Sequence, residues 1–335
     1  MSSSRTPTFE VCVDSHWATR TLVDDVRRGL GRVPRRLSPK WLYDDRGSEL
    51  FDQITRLPEY YPTEREREIL KKVAPDIVQR SQADILVELG SGTSDKTRVL
   101  LDAFAANGHL AQFVPVDVSV ATLRYSADQL STAYPGLAVH GIVGDFTLHL
   151  ASIPKGGRRL VAFLGSTIGN LFVEERQAFL GVLADVLNPG DSILLGTDLV
   201  KQADRLIAAY NDPQGITAEF VGNILAVLNT KLGANFNPRV FSYVPFWDPA
   251  LERMDLRLRV CGGDQLVDIP GAGLTLDLHD GEEIRVEISS KFREDGIRAE
   301  LEQAGFSVTD FWTDPGRDFA LSLATLAVDV RDGVV

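Results

Sequence analysis

The sequence predicts an α/β fold, in which a mostly parallel sheet carries helices on both faces and ends in an antiparallel hairpin. Strand-like and helix-like stretches alternate from about Ala83, and two strand-like stretches follow each other near the end of the chain. Two long segments, one before the first strand and one in the middle, break this alternation. We therefore assign 63–200 plus 288–335 to one domain, and 8–62 plus 201–287 to a second, discontinuous α+β domain.

The elements of the alternating domain are predicted in chain order. Apolar runs of strand length, bounded by turn residues, predict the strands ADILVELGSG, AQFVPVDVS, LAVHGIVGDFT, LVAFL and DSILLGTDLV. Apolar residues at helical spacing predict the helices TSDKTRVLLDAFAANG, VATLRYSADQLSTAY, VEERQAFLGVLADVLNPG and GIRAELEQAGF. The third helix stops at Asn188-Pro189-Gly190 and the fourth at Gly305. SVTDFWTD and FALSLATLAV, joined by PGRD, predict the closing hairpin.

Composition and charge exclude several classes of protein. The 335 residues are 44% apolar and 24% charged, which is typical of a globular protein. A net charge of −12 without a basic stripe argues against nucleic acid or an anionic membrane as partner. No apolar run approaches the roughly 20 residues that span a bilayer, and MSSSRTPTFEV lacks a signal-peptide pattern. Two distant cysteines and five scattered histidines predict a cytoplasmic protein without a metal.

A glycine turn follows the first predicted strand, in VELGSGTSDKT. Gly90 and Gly92 let the backbone approach a ligand closely, and the helix that follows favours anionic groups at its start. The dinucleotide fingerprint G-x-G-x-x-G/A fails here, because Asp95 stands at its third small-residue position. The pattern E-x-G-x-G instead resembles motif I of the class I S-adenosylmethionine-dependent methyltransferases. Taken alone, it is also compatible with an ordinary strand–turn–helix corner.

Two later strand ends strengthen this interpretation. The second strand ends in Asp117, at about the distance from the glycines where a carboxylate can bind ribose hydroxyls. The third ends in Asp145-Phe146, which offer a carboxylate for an amino group and a ring for adenine. Each aspartate by itself is equally typical of a turn or a helix cap. Three suitable strand ends in the right order predict a site for S-adenosyl-L-methionine.

With these residues in place, a closer resemblance is evident over nearly the whole chain. The sequence resembles the histidine-specific Nα-methyltransferases of ergothioneine biosynthesis in PKWLYDDRGSELFDQITRLPEYYPT, LVELGSGTSDKT, VAFLGSTIGNL, GDSILLGTDLVK and EISSKF. The resemblance implies a class I methyltransferase sheet with a second, substrate-binding domain. It implies trimethylation of the α-amino group of L-histidine to hercynine, the first step of ergothioneine biosynthesis, with S-adenosyl-L-methionine as donor.

The resemblance also implies a role for individual residues. The residues implied to hold the methyl donor are Gly90, Lys96, Asp117, Asp145, Phe146 and Gly165. Asn170 is implied to hold the α-amino and carboxylate groups of the substrate, helped by Tyr43, Tyr60 and Tyr210. We take Asn170, Tyr43 and Tyr60 as the catalytic residues. Lys96 is equally typical of a solvated lysine in the first turn of a helix.

An imidazole pocket is implied at Glu287 and Ser289, with Met254 as its wall. In EEIRVEISS, strand alternation predicts that Arg285, Glu287 and Ser289 share one face, so that a carboxylate and a hydroxyl can grip two ring nitrogens. From the residues alone, a solvated strand face and a core methionine are the ordinary alternatives. A buried polar grip of this kind discriminates against analogues by about 10⁴ to 10⁵, which would make the enzyme specific.

The stretch LPEYYPTERE predicts a helix that begins near Pro62, with Thr63 and Glu66 forming a capping box. Within it, we expect Tyr60 to contact the ligand and Tyr61 to pack. No histidine–carboxylate pair stands out as a base. We therefore expect catalysis mainly by positioning, with the proton lost to water or to a tyrosine-bound network.

Three alternatives stay open at this point. A related enzyme would methylate another amino acid, for example one derived from tryptophan, although an indole offers no second nitrogen to grip. A NAD-dependent oxidoreductase is disfavoured by Asp95. A protein that binds the donor without turnover is the third. We expect a monomer whose only partner is the small molecule L-histidine.

Overall fold

The computed structural model describes residues 5–14, 16–92, 94, 96–108 and 110–327. Asp95 of the glycine turn thus lies outside the described residues. The strands are β1 (Thr8–Val11), β2 (Arg35–Arg36), β3 (Ile85–Leu89), β4 (Gln112–Asp117), β5 (Ala138–Val143), β6 (Arg159–Phe163), β7 (Ser192–Asp198), β8 (Phe241–Asp248), β9 (Arg253–Val260), β10 (Gln265–Ile269), β11 (Leu274–Leu278), β12 (Glu283–Ser290), β13 (Phe306–Thr313) and β14 (Phe319–Leu326).

The helices occupy the stretches between these strands. They are α1 (Trp17–Leu30), α2 (Asp45–Ile54), α3 (Pro62–Ser81), α4 (Thr97–Asn107), α5 (Val120–Ala133), α6 (Val173–Val186), α7 (Ala203–Tyr210), α8 (Ile216–Leu232) and α9 (Glu294–Gln303). Short 3-10 turns lie at Pro39–Leu42, Leu150–Ser152, Thr167–Asn170, Pro238–Val240 and Pro270–Ala272. In the part of the chain described here, no helix is long and apolar enough to span a membrane.

The chain divides into two compact units. Among the described residues, unit 1 takes 5–14, 64–199 and 292–327, and unit 2 takes 16–63 and 200–291. The sequence-based boundaries at 62/63 and at 200/201 each lie one residue from those of the units, and the assignment differs by more at two other places. Residues 8–14 belong to unit 1, because β1 pairs in parallel with β5. Residues 288–291 belong to unit 2, because β12 continues as far as Ser290 and pairs with β9 over this length.

Unit 1 is built on an eight-stranded sheet in the order β1-β5-β4-β3-β6-β7-β14-β13. The first six strands in this order are parallel to one another. The last two, β14 and β13, are antiparallel, as predicted for the closing hairpin. Every residue of β3, β6 and β7 is buried, as expected where helices cover both faces. The carboxyl ends of the parallel strands therefore meet at one edge of the sheet, where this class of fold binds its ligands.

Alternation along the buried strands divides the core of unit 1 into two clusters. Leu86 and Leu160 pack in one cluster, whereas their chain neighbours Val87 and Val161 pack in the other. Successive side chains of a strand point to opposite faces, so each cluster fills one face of the sheet. This is the three-layer arrangement that the sequence predicts.

Unit 2 contains a four-stranded sheet in the order β2-β12-β9-β8 and a separate β10–β11 hairpin. Its core combines the inner face of the sheet with α1, α2, α7 and α8. The register between β12 and β9 shifts between Arg285 and Glu287, which leaves Val286 as a β-bulge. This bulge decides which side chains of β12 face the core.

Candidate functional site

The glycine turn after β3 is closed by hydrogen bonds that a buried carboxylate accepts. Gly90 and Gly92 both have positive φ angles, of 66° and 49°, which a glycine adopts without strain. Glu88 accepts a hydrogen bond from Ser94 Oγ at 2.8 Å and another from Thr97 Oγ1. Burial raises the pKa of Glu88 to about 7, although both hydroxyls lower it. The carboxyl group thus ties the turn to the start of α4.

Asp117, at the end of β4, is joined to the same turn. Its Oδ2 accepts from the Gly92 N–H and its Oδ1 from the Ser119 N–H, both at 2.9 Å. Burial raises the pKa of Asp117, against the lowering effect of these backbone bonds. Each carboxylate oxygen has a second lone pair, so Asp117 can still accept hydrogen bonds from ribose hydroxyls.

The end of β5 places the predicted ring beside the glycine turn. Phe146 lies edge-on to Phe163, with ring centroids 5.2 Å apart, and a Cβ on Gly90 would lie 3.7 Å from the Phe146 ring. Asp145 is buried, and its Oδ1 accepts from both the N–H and the hydroxyl of Thr147. The Asp145 carboxylate therefore stabilises the turn at Thr147, and it lies at the end of β5 as predicted.

A buried ion pair supports the loop after β6. Gly165 has a φ angle of 76°, and its N–H donates to Glu66 Oε1 at 2.8 Å. The other oxygen of Glu66 is paired with Lys96, whose Nζ lies 3.4 Å from the position of a Cβ on Gly165. Lys96 is thus not a freely solvated lysine. The capping-box prediction for Glu66 was wrong, because its fully buried side chain turns away from Thr63 toward the sheet.

The two hydroxyls of GSTIGN have structural roles. Ser166, at a φ angle of 58°, accepts from the Asp198 N–H at 3.0 Å, and Thr167 Oγ1 donates to the Leu164 carbonyl at 3.0 Å. Together they hold the short turn that ends in the partly exposed Asn170. The strand stops being apolar because this turn needs two hydroxyls and a positive φ angle at its first glycine.

In unit 2, aromatic rings surround the predicted substrate tyrosines. Tyr43 packs edge-on against Phe51 and against Phe220, with both pairs of centroids 5.4 Å apart. Tyr60 lies edge-on to Tyr210 at 6.2 Å. The sequence analysis identified the three tyrosines but not the two phenylalanines, which no local pattern distinguishes from core residues.

The bulge at Val286 turns Glu287 toward the core. Across the sheet Glu287 is opposite Leu256 and Ser289 is opposite Met254, so all four share the inner face. Glu287 is 8% exposed, Ser289 5% and Met254 fully buried. The predicted pair and its methionine wall are therefore on one face.

The same bulge places Arg285 on the other face, so the prediction that it joins this group was wrong. Its Nε donates to Asp255 Oδ1 at 2.7 Å, and Asp255 also pairs with Arg253 and Arg257. This network of charges lies opposite the pocket face. An extra residue in a strand reverses the alternation beyond it, which a count of residues cannot detect.

Lys291 is a further polar residue of the pocket that the sequence analysis missed. Its Nζ donates to Ser289 Oγ and to Tyr210 Oη, both at 2.7 Å, and these two hydroxyls lie 2.8 Å apart. The side chain is buried, at 4% exposure. Its position, two residues after Ser289 in EISSKF, would have indicated the same strand face.

Two tyrosines near Glu287 are held as neutral phenols. Burial raises the pKa of Tyr43, and the carboxylate of Glu287 raises it further, although 40% of the residue surface stays exposed. Burial and Glu287 likewise raise the pKa of Tyr243, whose hydroxyl donates to the Tyr210 carbonyl at 2.7 Å. These phenols can accept hydrogen bonds and face cations, but they are too weakly acidic to serve as phenolate bases near neutral pH.

The predicted residues therefore fall into two groups. The six predicted donor residues and Asn170 belong to unit 1, and the remaining substrate residues, namely Tyr43, Tyr60, Tyr210, Met254, Glu287 and Ser289, belong to unit 2. Glu66 and Lys291 are additions from the fold, although the sequence position of Lys291 carried a signal. Among the described residues, no cluster of three or more histidine, cysteine, aspartate or glutamate side chains has the arrangement of a metal site.

Comparison with known proteins gives a consistent result. Residues 22–326 match the model of a family described as histidine-specific, S-adenosylmethionine-dependent methyltransferase. The chain is 52% identical to a histidine N-alpha-methyltransferase of Mycobacterium tuberculosis, over 90% of this chain and 93% of that protein. Identity to the protein of the same name in Mycolicibacterium smegmatis is 50%, over 92% and 95%. Sequence identity to the ergothioneine biosynthesis protein 1 of Schizosaccharomyces pombe is 35%, over 63% of this chain and 29% of that longer protein.

Proposed function

The chain belongs to the family of histidine-specific, S-adenosylmethionine-dependent methyltransferases, and on this basis we propose that it makes hercynine from L-histidine. Three methyl groups pass in succession from S-adenosyl-L-methionine to the α-amino nitrogen, which is the first step of ergothioneine biosynthesis. The observation that carries the proposal is the pair Glu287 and Ser289, buried on one sheet face beside Met254.

The reaction moves a methyl group from a sulfonium sulfur to a nitrogen lone pair. The nitrogen–carbon bond forms as the carbon–sulfur bond breaks, and the electron pair of that bond stays on sulfur. An ammonium has no lone pair, and a free α-amino group with a pKa near 8 is mostly protonated at neutral pH. The amine must therefore lose one proton before each of the three transfers.

Positioning supplies most of the catalysis in this proposal. Asn170 holds the α-amino and carboxylate groups, and the phenol rings of Tyr43 and Tyr60 face the amine. Such rings attract a methylated ammonium by about 0.5 to 2 kcal/mol. Since the pKa of Tyr43 is raised, the phenol keeps its own proton. Water takes the proton of the amine, directly or through hydrogen-bonded hydroxyls.

The donor is assigned to the loops after the parallel strands of unit 1. Asp117 accepts hydrogen bonds from the ribose hydroxyls, and Phe146 packs against adenine. Gly90, which has no side chain, leaves room for the ligand beside it. Asp145 and Lys96 bind the polar groups of the donor, while Gly165 lies next to the methyl group. The positive φ angles of Gly90 and Gly165 support these assignments, because a side chain at either position would be strained.

Specificity for histidine comes from Glu287 and Ser289. The carboxylate accepts from the ring N–H, and the hydroxyl donates to the other ring nitrogen. A ring without a second nitrogen leaves one of these buried groups unpaired, which discriminates against indole-containing amino acids.

We also propose that a single chain in the cytoplasm carries out the reaction. Cys12 and Cys261 form no disulfide, as expected in a reducing compartment. Light scattering of the purified protein tests the first point, and cell fractionation tests the second.

Mass spectrometry of the products tests the function itself. The purified protein is incubated with S-adenosyl-L-methionine and each of the twenty amino acids in turn. Trimethylated histidine, with little product from the others, is the expected result. A methylated product from another amino acid would keep the donor site and overturn the roles of Glu287 and Ser289. Absence of any product, with the donor still bound, would overturn the catalytic function.

A further inference from the structure

We propose that Lys291 is a positioning residue that makes Ser289 a hydrogen-bond donor toward the substrate, so that the pocket selects the neutral imidazole ring. This inference rests on the function proposed above and extends it to the charge state of the bound ring. It starts from three polar atoms that lie in a triangle: Lys291 Nζ, Ser289 Oγ and Tyr210 Oη. The edges measure 2.7, 2.7 and 2.8 Å.

Counting the protons of this triangle gives the direction of the two bonds that Lys291 makes and leaves two arrangements for the third. An ammonium only donates, so the oxygens of Ser289 and Tyr210 both accept from Lys291. One of the two hydroxyl protons lies on the edge between the oxygens. The other hydroxyl proton points out of the triangle. When Tyr210 donates to Ser289, the outward proton belongs to Ser289, which then donates to a ligand.

With Ser289 as the donor to the ligand, the pocket fits only one protonation state of the imidazole ring. A neutral imidazole has one N–H donor and one nitrogen that accepts, whereas an imidazolium has two donors. The carboxylate of Glu287 takes the N–H. Ser289, already accepting from Lys291, offers its proton to the second nitrogen, which must therefore be unprotonated.

The charges of the pocket favour the same form. Glu287, Ser289 and Lys291 follow one another at every second residue, and all three are buried. Lys291 thus places an ammonium two residues from the Ser289 hydroxyl on this strand face. An imidazolium would add a second cation close to Lys291, and like charges a few ångströms apart repel strongly where water is excluded.

Four other titratable groups lie near Glu287 and Tyr210. They are Tyr43, Tyr60, Tyr243 and Asp212. Phenols ordinarily titrate near about pH 10, and burial raises the pKa of Tyr43 and Tyr243 above that. Burial by itself would raise the pKa of Asp212, but hydrogen bonds from Thr217 and Ile216 lower it. Asp212 thus stays ionised, and the phenols of Tyr43 and Tyr243 stay neutral.

Calorimetry with hercynine and S-adenosylhomocysteine tests the inference. Hercynine is the ligand of choice because its quaternary nitrogen cannot titrate, so that the ring is its only group that changes charge between about pH 5.5 and 7.5. For the wild type, Kd should be about tenfold higher at about pH 5.5, where a ring with a pKa near 6.5 is mostly protonated. Lys291→Arg keeps the positive charge and should show the same rise. Lys291→Met should show less than about a threefold rise.

Two results would overturn the inference. One is a wild-type affinity that does not change with pH, and the other is a Lys291→Met variant that shows the full tenfold loss at acid pH. The second result would assign the pH effect to another group, such as Glu287. The affinity for S-adenosylhomocysteine, measured in parallel, shows whether each variant is folded.

A second measurement uses the wild type alone, in case Lys291→Met does not fold. ¹⁵N NMR of ring-labelled hercynine, bound at about pH 6, should show one protonated and one unprotonated ring nitrogen. Two protonated nitrogens would overturn the inference. Failure of L-histidine to be methylated at all would instead overturn the proposed function, so the two failures are distinguishable.

Discussion

At the scale of a single residue, the buried carboxylate of Glu287 depends on polar and charged neighbours for its stability. A buried carboxylate is stable only where hydrogen bonds or a counter-charge compensate for lost water, and Lys291 is buried on the same strand face. Glu287→Ala should lower kcat/KM for histidine about 10- to 150-fold, which corresponds to a hydrogen bond between a charged and a polar group. The Kd of S-adenosylhomocysteine, measured by calorimetry, should change less than about twofold.

Glu283→Ala is the matched control, because it removes a carboxylate from the same strand. Glu283 pairs with Arg257 and Arg259 rather than facing the pocket. This variant should keep its kcat/KM for histidine. An equal loss of donor binding and histidine use in Glu287→Ala would contradict the imidazole grip.

Glu88 should make the stability of the protein depend on pH. Its folded-state pKa of about 7 lies above the ordinary value of 4.5, so the folded state binds more protons than the unfolded state between these values. The free energy of unfolding should therefore fall as pH rises from about 4.5 to 7, by about 3 kcal/mol for this group. Urea unfolding across this range should show the fall in the wild type and not in Glu88→Gln. Glu64→Gln, on the exposed side of α3, should keep it.

At the scale of secondary-structure elements, the bulge in β12 is the feature that makes the pocket. Without the extra residue at Val286, strand alternation would carry Glu287 and Ser289 to the side of Arg285 and Asp255. With it, both polar side chains join Met254 on the inner face. One inserted residue thus converts a solvated pattern into a buried binding face.

The contact between α3 and β7 gives a second prediction at this scale. A Cβ on Gly196 would lie 2.1 Å from Glu66 Oε1, so Gly196→Ala must displace the carboxylate that holds Gly165 and Lys96. Overpacking of this kind costs about 1 to 3 kcal/mol of stability. We also expect the Kd of S-adenosylhomocysteine to rise about tenfold, because the Gly165 loop loses its hydrogen bond.

Gly181→Ala is the control for this substitution. Gly181 lies in α6, and a Cβ there would meet no atom within 4 Å. The change should stabilise the protein by up to about 1 kcal/mol, because alanine favours a helix. Thermal unfolding and calorimetry of both variants test the pair. Unchanged donor affinity in Gly196→Ala would mean that Glu66 does not support the donor site.

At the scale of the whole molecule, the donor is assigned to residues of unit 1, and the imidazole ring of the substrate is assigned to residues of unit 2. S-adenosylhomocysteine alone should therefore slow hydrogen exchange mainly in peptides that contain Gly90 or Phe146. Addition of hercynine should then slow exchange at the end of β12, which contains Glu287 and Ser289. Mass spectrometry of exchanged peptides checks both steps. Protection of β12 by the first ligand alone, without any at Gly90, would contradict the assignment.

Much of this architecture could be predicted from the sequence, because the predictive patterns are local. Buried parallel strands appear as short apolar runs, and glycines mark the turns that follow them. The five central strands and the closing hairpin were predicted for this reason. β1 was missed, because its pattern of partial burial, in a strand of four residues, leaves little apolar signal.

The sequence alone predicts the fold class and the order of the strand ends that carry Gly90, Asp117 and Phe146, because both follow from local composition and spacing. The family is evident from the resemblance of longer stretches, which the chain also carries whatever its tertiary contacts. The tertiary structure was needed to find that Glu66 supports Gly165, that Arg285 leaves the pocket face, and that Lys291 contacts Ser289 and Tyr210. Each of these depends on a contact distant in sequence or on one extra residue in a strand, and neither leaves a trace in local periodicity.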